Sequence, residues 1–340
     1  MGSLFSEVMD FNKGNGAVYN ELKGLISVRG VNIIPFVGAG LSAGVSPLWS
    51  SMLIDIAAEF DDLCYSDGAH RKNVKEFIEQ GDFEGAATYL SEIMGEIAFV
   101  KQVKERIGTS KIAWARVDKG CRLLPRLFKG GVVTINLDHV VEFVYESEEA
   151  AFSEIIIPRS EKDLTYIDRL CRKNSHVLLK LHGDICKQET LILTSKEYED
   201  NYGGIGYRQI LDMLFLTGSF LFLGCSLMQD RLIKVITQLA KEQPNREFYN
   251  FAILEAPAKE EFTFAERLKE LSNIGISVIW YPHGKHDAVG AILKQLLIDT
   301  EGKNKSRRRL NPSDRNKTLG ILGIILAVVG IATSVFFGLK

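Results

Sequence analysis

The sequence predicts an α/β protein: a doubly wound, Rossmann-like parallel sheet with an inserted helical subdomain, followed by a C-terminal transmembrane helix. Three observations predict it. Short β-rich runs, apolar along nearly their whole length, alternate with segments whose apolar residues recur at three-to-four spacing, as in strands covered by helices on both faces. The stretch Ala58–Leu127 breaks the alternation and is helical in pattern almost throughout. A charge-free segment lies close to the C-terminal end.

In chain order, strands are expected at Asn32–Val37, Gly131–Ile135, Glu154–Ile157, His176–Leu181, Ser219–Gly224, Glu247–Leu254 and Ile276–Trp280. A glycine-rich turn follows the first strand, and a helix is expected to begin there and run on through Trp49 to Phe60. That helix leads into a helical insertion at about 58–127. Further helices are expected at Asp138–Tyr145, Glu161–Arg172, Gln229–Lys241, Lys259–Ser272 and Asp287–Ile298. Residues 1–300 are read as one domain, 301–318 as a basic linker and 319–339 as the membrane span.

At 340 residues, 46% apolar and 25% charged, the chain has material for a packed core and no compositional reason for disorder. The formal charge of −2 hides an asymmetry. Beyond Thr300 there are eight basic residues against Glu301 and Asp314, so the body before it is clearly acidic. An acidic body gives the wrong sign of field for a phosphate backbone, and nucleic acid is not expected as a partner. The five cysteines, Cys64, Cys121, Cys171, Cys186 and Cys225, are scattered, with no Cys-x-x-Cys pair. Neither a disulfide framework nor a zinc site can be drawn from them, and the set suits a reducing compartment.

Leu319–Leu339 is 21 residues without a charge, 13 of them Leu, Ile, Val or Phe. As a helix it would be about 31 Å long, which matches a bilayer core. The basic linker before it, with a turn at Asn311-Pro312-Ser313, places the body in the cytoplasm by the positive-inside rule. The expectation is a single-pass, tail-anchored protein whose partner is the lipid bilayer. Gly320, Gly323, Ala327, Gly330, Ser334 and Gly338 fall on one seam of that helix, a surface suited to a homo-oligomer.

In open α/β sheets, ligands sit beyond the carboxyl ends of the strands. Four polar or glycine-rich turns lie there. Gly38-Ala39-Gly40-Leu41-Ser42 allows close backbone approach and offers donors to a phosphate, or is a plain turn with Ser42 capping a helix. Thr134-Ile135-Asn136-Leu137-Asp138 sets a carboxamide and a carboxylate two residues apart, either for a ligand or as an Asx turn at a helix start. Lys180-Leu181-His182-Gly183-Asp184 puts a histidine just past a buried strand, where it could serve as a general base. Gly224-Cys225-Ser226 is another small-residue turn. With no nearby histidine, Cys225 is not expected to be a nucleophile.

Taken in order, these residues resemble the sirtuin-like superfamily, and more closely its bacterial zinc-less branch of antiphage-defence effectors that consume NAD, such as the Thoeris NADase. The likeness runs from about Asn32 to Ile298. Gly38-Ala39-Gly40-Leu41-Ser42 is similar to the NAD phosphate loop, Thr134-Ile135-Asn136-Leu137-Asp138 to the Thr-x-Asn-x-Asp motif, and His182-Gly183 to the catalytic His-Gly pair. Gly224-Cys225-Ser226 is similar to the Gly-x-Ser turn near the adenosine ribose. Leu191-Ile192-Leu193-Thr194 with Tyr198 and Tyr202 is similar to a further signature of the branch.

Combined with the expected anchor, the resemblance implies an NAD glycohydrolase that releases nicotinamide and ADP-ribose and acts by NAD depletion on the cytoplasmic face of a bacterial inner membrane, with an unidentified activator as a further candidate partner. It implies NAD as substrate and no zinc, with His182, Asn136 and Asp138 catalytic. Gly38, Ala39, Gly40, Ser42, Thr134, Gly183, Gly224 and Ser226 would bind NAD. Where the effectors often carry an Asp three residues past that serine, this chain has Gln229, with Asp230 one later. A protein deacylase or ADP-ribosyltransferase using the same site, and a non-catalytic NAD-binding membrane module, are the competing readings.

Overall fold

The computed structural model describes residues 3–27, 32–108, 112–159, 163–172, 175–202, 205–227, 231–243, 249–257 and 264–309. Seven parallel strands form one sheet: β1 (Ile33–Val37), β2 (Val132–Thr134), β3 (Glu154–Ile156), β4 (Val177–Lys180), β5 (Ser219–Leu223), β6 (Asn250–Glu255) and β7 (Ile276–Tyr281). Their order across the sheet is β3-β4-β2-β1-β5-β6-β7. From β1 the chain first builds one half of the sheet, then crosses back to lay β5 on the other side. That reversal beside β1 is where an open α/β sheet forms its ligand cleft.

Fourteen helices are described: α1 (Leu4–Phe11), α2 (Asn15–Ser27), α3 (Trp49–Cys64), α4 (Ala69–Glu79), α5 (Phe83–Met94), α6 (Glu96–Ile107), α7 (Leu124–Leu127), α8 (Val140–Ser147), α9 (Leu164–Cys171), α10 (Ser195–Tyr202), α11 (Ile205–Thr217), α12 (Arg231–Glu242), α13 (Phe264–Asn273) and α14 (Asp287–Arg309). The chain divides after Gln295 into a main body and a C-terminal unit.

The central strand β1 is buried along its length although it contains Pro35. Alternate residues of a parallel strand turn their backbone groups to opposite neighbours. Gly38 N donates to Leu223 O on the β5 side, and Ile135 N donates to Val37 O on the β2 side. Pro35 therefore faces β2, below the point where that ladder begins at Phe36, and its missing N–H costs no bond. Phe36 packs against Phe222, Phe220 and Phe215 at centroid distances of 5.0, 6.3 and 6.5 Å, the centre of the sheet's core.

At one edge, Asn15 stands in for a missing strand. Its side-chain amide donates to Trp280 O at 2.8 Å and accepts from Trp280 N at 2.9 Å, and it also donates to Val8 O. This fully buried asparagine thus ties the start of α2 to the outer side of β7. At the other edge, β3 is three residues long and carries an ion pair between Glu154 and Arg169.

The segment between β1 and β2 is helical, with a core of its own. Met52, Leu53 and Ile56 of α3, Val74 of α4, Leu90 of α5 and Phe99 and Val103 of α6 are buried together with Leu137, Ile185, Leu191 and Leu193, which follow β2 and β4. The helical layer is therefore seated on the loops at the carboxyl edge of the sheet. Buried Asp61 holds the α3–α4 turn, accepting from Ser66 Oγ and from the first amides of α4, His70 N and Arg71 N.

Three expectations need correction. No helix begins at Ser42: a single 3₁₀ turn covers Ala39–Leu41, and α3 starts at Trp49, after Pro47. The helix expected to end at Ile298 runs to Arg309, because the Lys- and Arg-rich start of the expected linker consists largely of good helix formers. Four helices, α1, α2, α10 and α11, were not anticipated. Among the described residues no helix is long and apolar enough to cross a membrane, and the expected span Leu319–Leu339 lies outside the described residues.

Candidate active site

Strand register brings the four turns to one edge. Val37 pairs with Thr134 on one side and Leu223 on the other, and Thr134 pairs with Lys180. Asn136 and His182 each lie two residues beyond the paired Thr134 and Lys180, on adjacent strands. Gly38 and Gly224 follow immediately on β1 and β5.

The glycines of β1 and β5 serve contact between these turns. Gly40 N donates to Gly224 O, and a Cβ at Gly38 would meet Gly224 O at 2.6 Å and Cys225 Sγ at 2.7 Å. Gly224 has φ +66°, and a Cβ there would lie 2.6 Å from Leu41 N. The amides of Gly38, Gly40, Leu41 and Ser42 are all spent on backbone carbonyls of these turns. No helix start offers its amides here, and these bonds close the turn on β5 and on itself. Ser226 is exposed, and its carbonyl accepts from Arg267 of α13. Asp230 lies outside the described residues.

From β2, a chain of hydrogen bonds joins the turn after β2 to the turn after β1. Asn136 Nδ2 donates to Ser42 Oγ at 3.0 Å, Ser42 Oγ donates to Asp138 Oδ1 at 3.2 Å, and Val140 N donates to the same oxygen at 2.9 Å. Asp138 thus makes the Asx turn that opens α8 and also holds Ser42. Thr134 spends its hydroxyl inside the sheet, donating to Val37 O and accepting from Asn136 N. The carbonyl Oδ1 of Asn136 is buried without a partner among the described residues. An unsatisfied buried acceptor costs about 1–3 kcal/mol unless a ligand or water donates to it, so this oxygen is open to a donor from outside the described residues.

From β4, His182 sits partly buried in the following turn, its Nδ1 3.3 Å from the Tyr198 hydroxyl and the two rings edge to face at 5.2 Å. Burial pushes its pKa down to about 4. The ring is therefore neutral at physiological pH and able to take a proton. When Nδ1–H donates to Tyr198, Nε2 carries the basic lone pair. Gly183, at φ +100°, lets the chain turn where a Cβ would strike Thr190 O at 2.1 Å. Tyr198 enters the site as the partner of His182, a role its position on unanticipated α10 concealed; the Tyr202 side chain lies outside the described residues.

Behind β2 and β4 lies a buried ionic cluster. Lys180, 0% exposed, donates to Asp184 Oδ2 at 3.0 Å, Glu142 Oε1 at 2.8 Å and Asp138 O at 2.8 Å. His139 Nε2 meets both oxygens of Asp184 at 2.9 Å. Burial alone would raise the Asp184 carboxyl, but the His139 hydrogen bond and the Lys180 charge outweigh it and hold the group well below the ordinary carboxylate range. The same hydrogen bond raises His139, while burial raises Glu142 against the pull of Lys180. His139, Asp184 and Cys186 bring donor atoms within 4.8 Å of one another. The ammonium on Asp184 opposes a cation there.

Residues 130–279 match the family described as SIR2-like domain. The match spans β2 to β7, including the turns that bear Asn136, His182 and Gly224, while the β1 turn precedes it. Over 266 residues the chain is 23% identical to the NAD(+) hydrolase ThsA of Enterococcus faecium, covering 77% of this chain and 47% of that protein. The chain thus spans about half the length of this curated relative. This alignment is longer than the stretch that matches the SIR2-like family.

Proposed function

We propose that this chain is an NAD glycohydrolase that releases nicotinamide and ADP-ribose, acting as a membrane-held antiphage effector. The observation that carries the reading is the buried, unpartnered Oδ1 of Asn136 in the turn after β2, whose neighbour β4 leads into the turn that bears neutral His182. The similarity of residues 130–279 to SIR2-like domains and the resemblance to an NAD(+) hydrolase support the choice of substrate.

In this reading Asn136 Oδ1 accepts from the attacking water or a ribose hydroxyl, and Asp138 holds the nicotinamide carboxamide. Water adds to ribose C1′ as the bond from C1′ to the nicotinamide nitrogen breaks. The bonding pair leaves with nicotinamide, whose ring becomes neutral, and the water proton passes to His182 Nε2. Ala39, Ser42, Gly183 and Ser226 line the remainder of the dinucleotide, with Gly38, Gly40, Thr134 and Gly224 shaping the turns against which it lies.

The test is chromatography of nicotinamide and ADP-ribose from NAD incubated with the detergent-solubilised full chain, beside His182→Ala. Turnover to free ADP-ribose that is lost in the variant supports the reading. Nicotinamide release only when an acylated peptide is added would instead make the protein a deacylase. The membrane part rests on the charge-free segment Leu319–Leu339 and the basic residues before it. Deleting 319–339 should move the protein from the membrane pellet to the supernatant, and an unchanged pellet fraction would refute the anchor.

A further inference from the structure

Lys180 is a fully buried cation in a protein whose proposed chemistry makes no use of it. It closes β4 two residues before His182, and its ammonium reaches across to the turn after β2, to α8 and to the turn after β4. Its acceptors are Asp138 O at 2.8 Å, Leu137 O at 3.4 Å, Glu142 Oε1 at 2.8 Å and Asp184 Oδ2 at 3.0 Å. Burying an ammonium is costly unless it is paired and its protons are satisfied. This one meets two carboxylates and two carbonyls.

The segments it joins bear the site. Asp138 lies on the Asn136–Ser42–Asp138 chain of hydrogen bonds, and Asp184 lies two residues past His182. A further backbone bond, Ile185 N to Leu137 O at 3.1 Å, runs beside the lysine. Cys186 N also donates to Asp184 Oδ1 and the Asp184 amide donates to Thr190 Oγ1, so the turn after His182 is braced around the carboxylate that meets the lysine. A methyl-terminated side chain of similar length would fill the same space and hold neither turn.

We propose that Lys180 is the positioning residue that sets His182 against Asn136, clamping the turns after β2 and β4 together from beneath the cleft. It touches no reacting atom. The proposal rests on the glycohydrolase reading for its kinetic consequence and on the geometry alone for its structural one. Misplacing a catalytic group by about 1 Å costs on the order of a hundredfold in rate.

The experiment compares full-length wild type with Lys180→Met by NAD kinetics and by peptide-level hydrogen exchange. The expected result is a kcat lower by about a hundredfold with KM for NAD within about threefold. Exchange should be faster in segments 134–140 and 181–186 while β5 and β6 keep wild-type protection. Where Lys180→Met alone does not fold, Lys180→Met/Glu142→Gln/Asp184→Asn removes the stranded carboxylates and is expected to show the same kinetic and exchange pattern. A kcat within about threefold of wild type, or unchanged exchange in both segments, overturns the proposal. If wild type releases no nicotinamide, the glycohydrolase reading fails by itself, and exchange in the two segments still decides the role of Lys180.

Discussion

Ser42 and Asp138 are 96 residues apart in the chain and 3.2 Å apart in space, joined by a hydrogen bond that ties the turn after β1 to the turn after β2. The same hydroxyl accepts from Asn136, so one serine orients both polar residues of the second turn. Its value lies in direction: the Asn136 amide nitrogen is committed to Ser42, which leaves the carbonyl oxygen for a ligand.

Ser42→Ala should therefore damage activity more than its size suggests. The Asn136 amide loses its acceptor and is free to rotate, and NAD hydrolysis should fall by about tenfold to a hundredfold. Stability should drop by about 1–2 kcal/mol, the cost of one buried hydrogen bond left half-made. Steady-state NAD kinetics and urea unfolding check the two figures.

The pH dependence should bear the mark of burial around His182. With its pKa pushed down to about 4 from 6.5, the ring remains a base well into mildly acidic solution. The acid limb of kcat/KM should lie near pH 4 to 5 rather than near 6.5. The sign for stability follows from the same shift: between 6.5 and about 4 the unfolded chain binds a proton that the folded one refuses, so this group weakens the fold as pH falls through that window. The difference in urea midpoint between wild type and His182→Gln should be constant above pH 7 and shift in the variant's favour toward pH 5.

Gly224→Ala should be severely destabilising. The residue combines φ +66° with a Cβ position 2.6 Å from Leu41 N, so strain and overlap add, at a cost of about 2–4 kcal/mol. Gly284→Ala provides the comparison: φ is +73° but nothing lies within 4 Å, and the cost should be about 1 kcal/mol. Denaturant midpoints of the two variants measure the difference.

Much of the architecture was legible because the inner strands β1, β2, β4 and β5 are buried along nearly their whole length, so each appears as a short apolar run. Strand order was not, since nothing in β3 or β4 announces that β3 takes the edge. The helices α1 and α2 were obscured by Asn12, Gly14, Asn15 and Gly16, which suggest turns; Asn15 instead serves as a buried pairing group. At the site, the polar residues after each strand were legible one by one. The links between them were not: Ser42 to Asn136, Tyr198 to His182 and Lys180 to Asp138 each depend on a side chain reaching a neighbouring segment. Periodicity also suggested a helix at Ser42, where the commitment of the turn's amides to Gly38, Ala39, Leu223 and Gly224 carbonyls prevents one.

Asn15→Leu should cost about 2–4 kcal/mol, because Trp280 loses both a donor and an acceptor in a site closed to water. Thermal unfolding followed by circular dichroism measures it.

The same asparagine has a consequence for solubility. A strand whose outer N–H and C=O groups are unmet is a template for the strand of another molecule. By pairing with Trp280 from the side, the N-terminal helices deny β7 to any such visitor, while β3 at the opposite margin is too short and too charged to recruit one. A chain shortened past Asn15 would present an open seam of backbone, and its failure would take the form of intermolecular stacking rather than simple loss of fold.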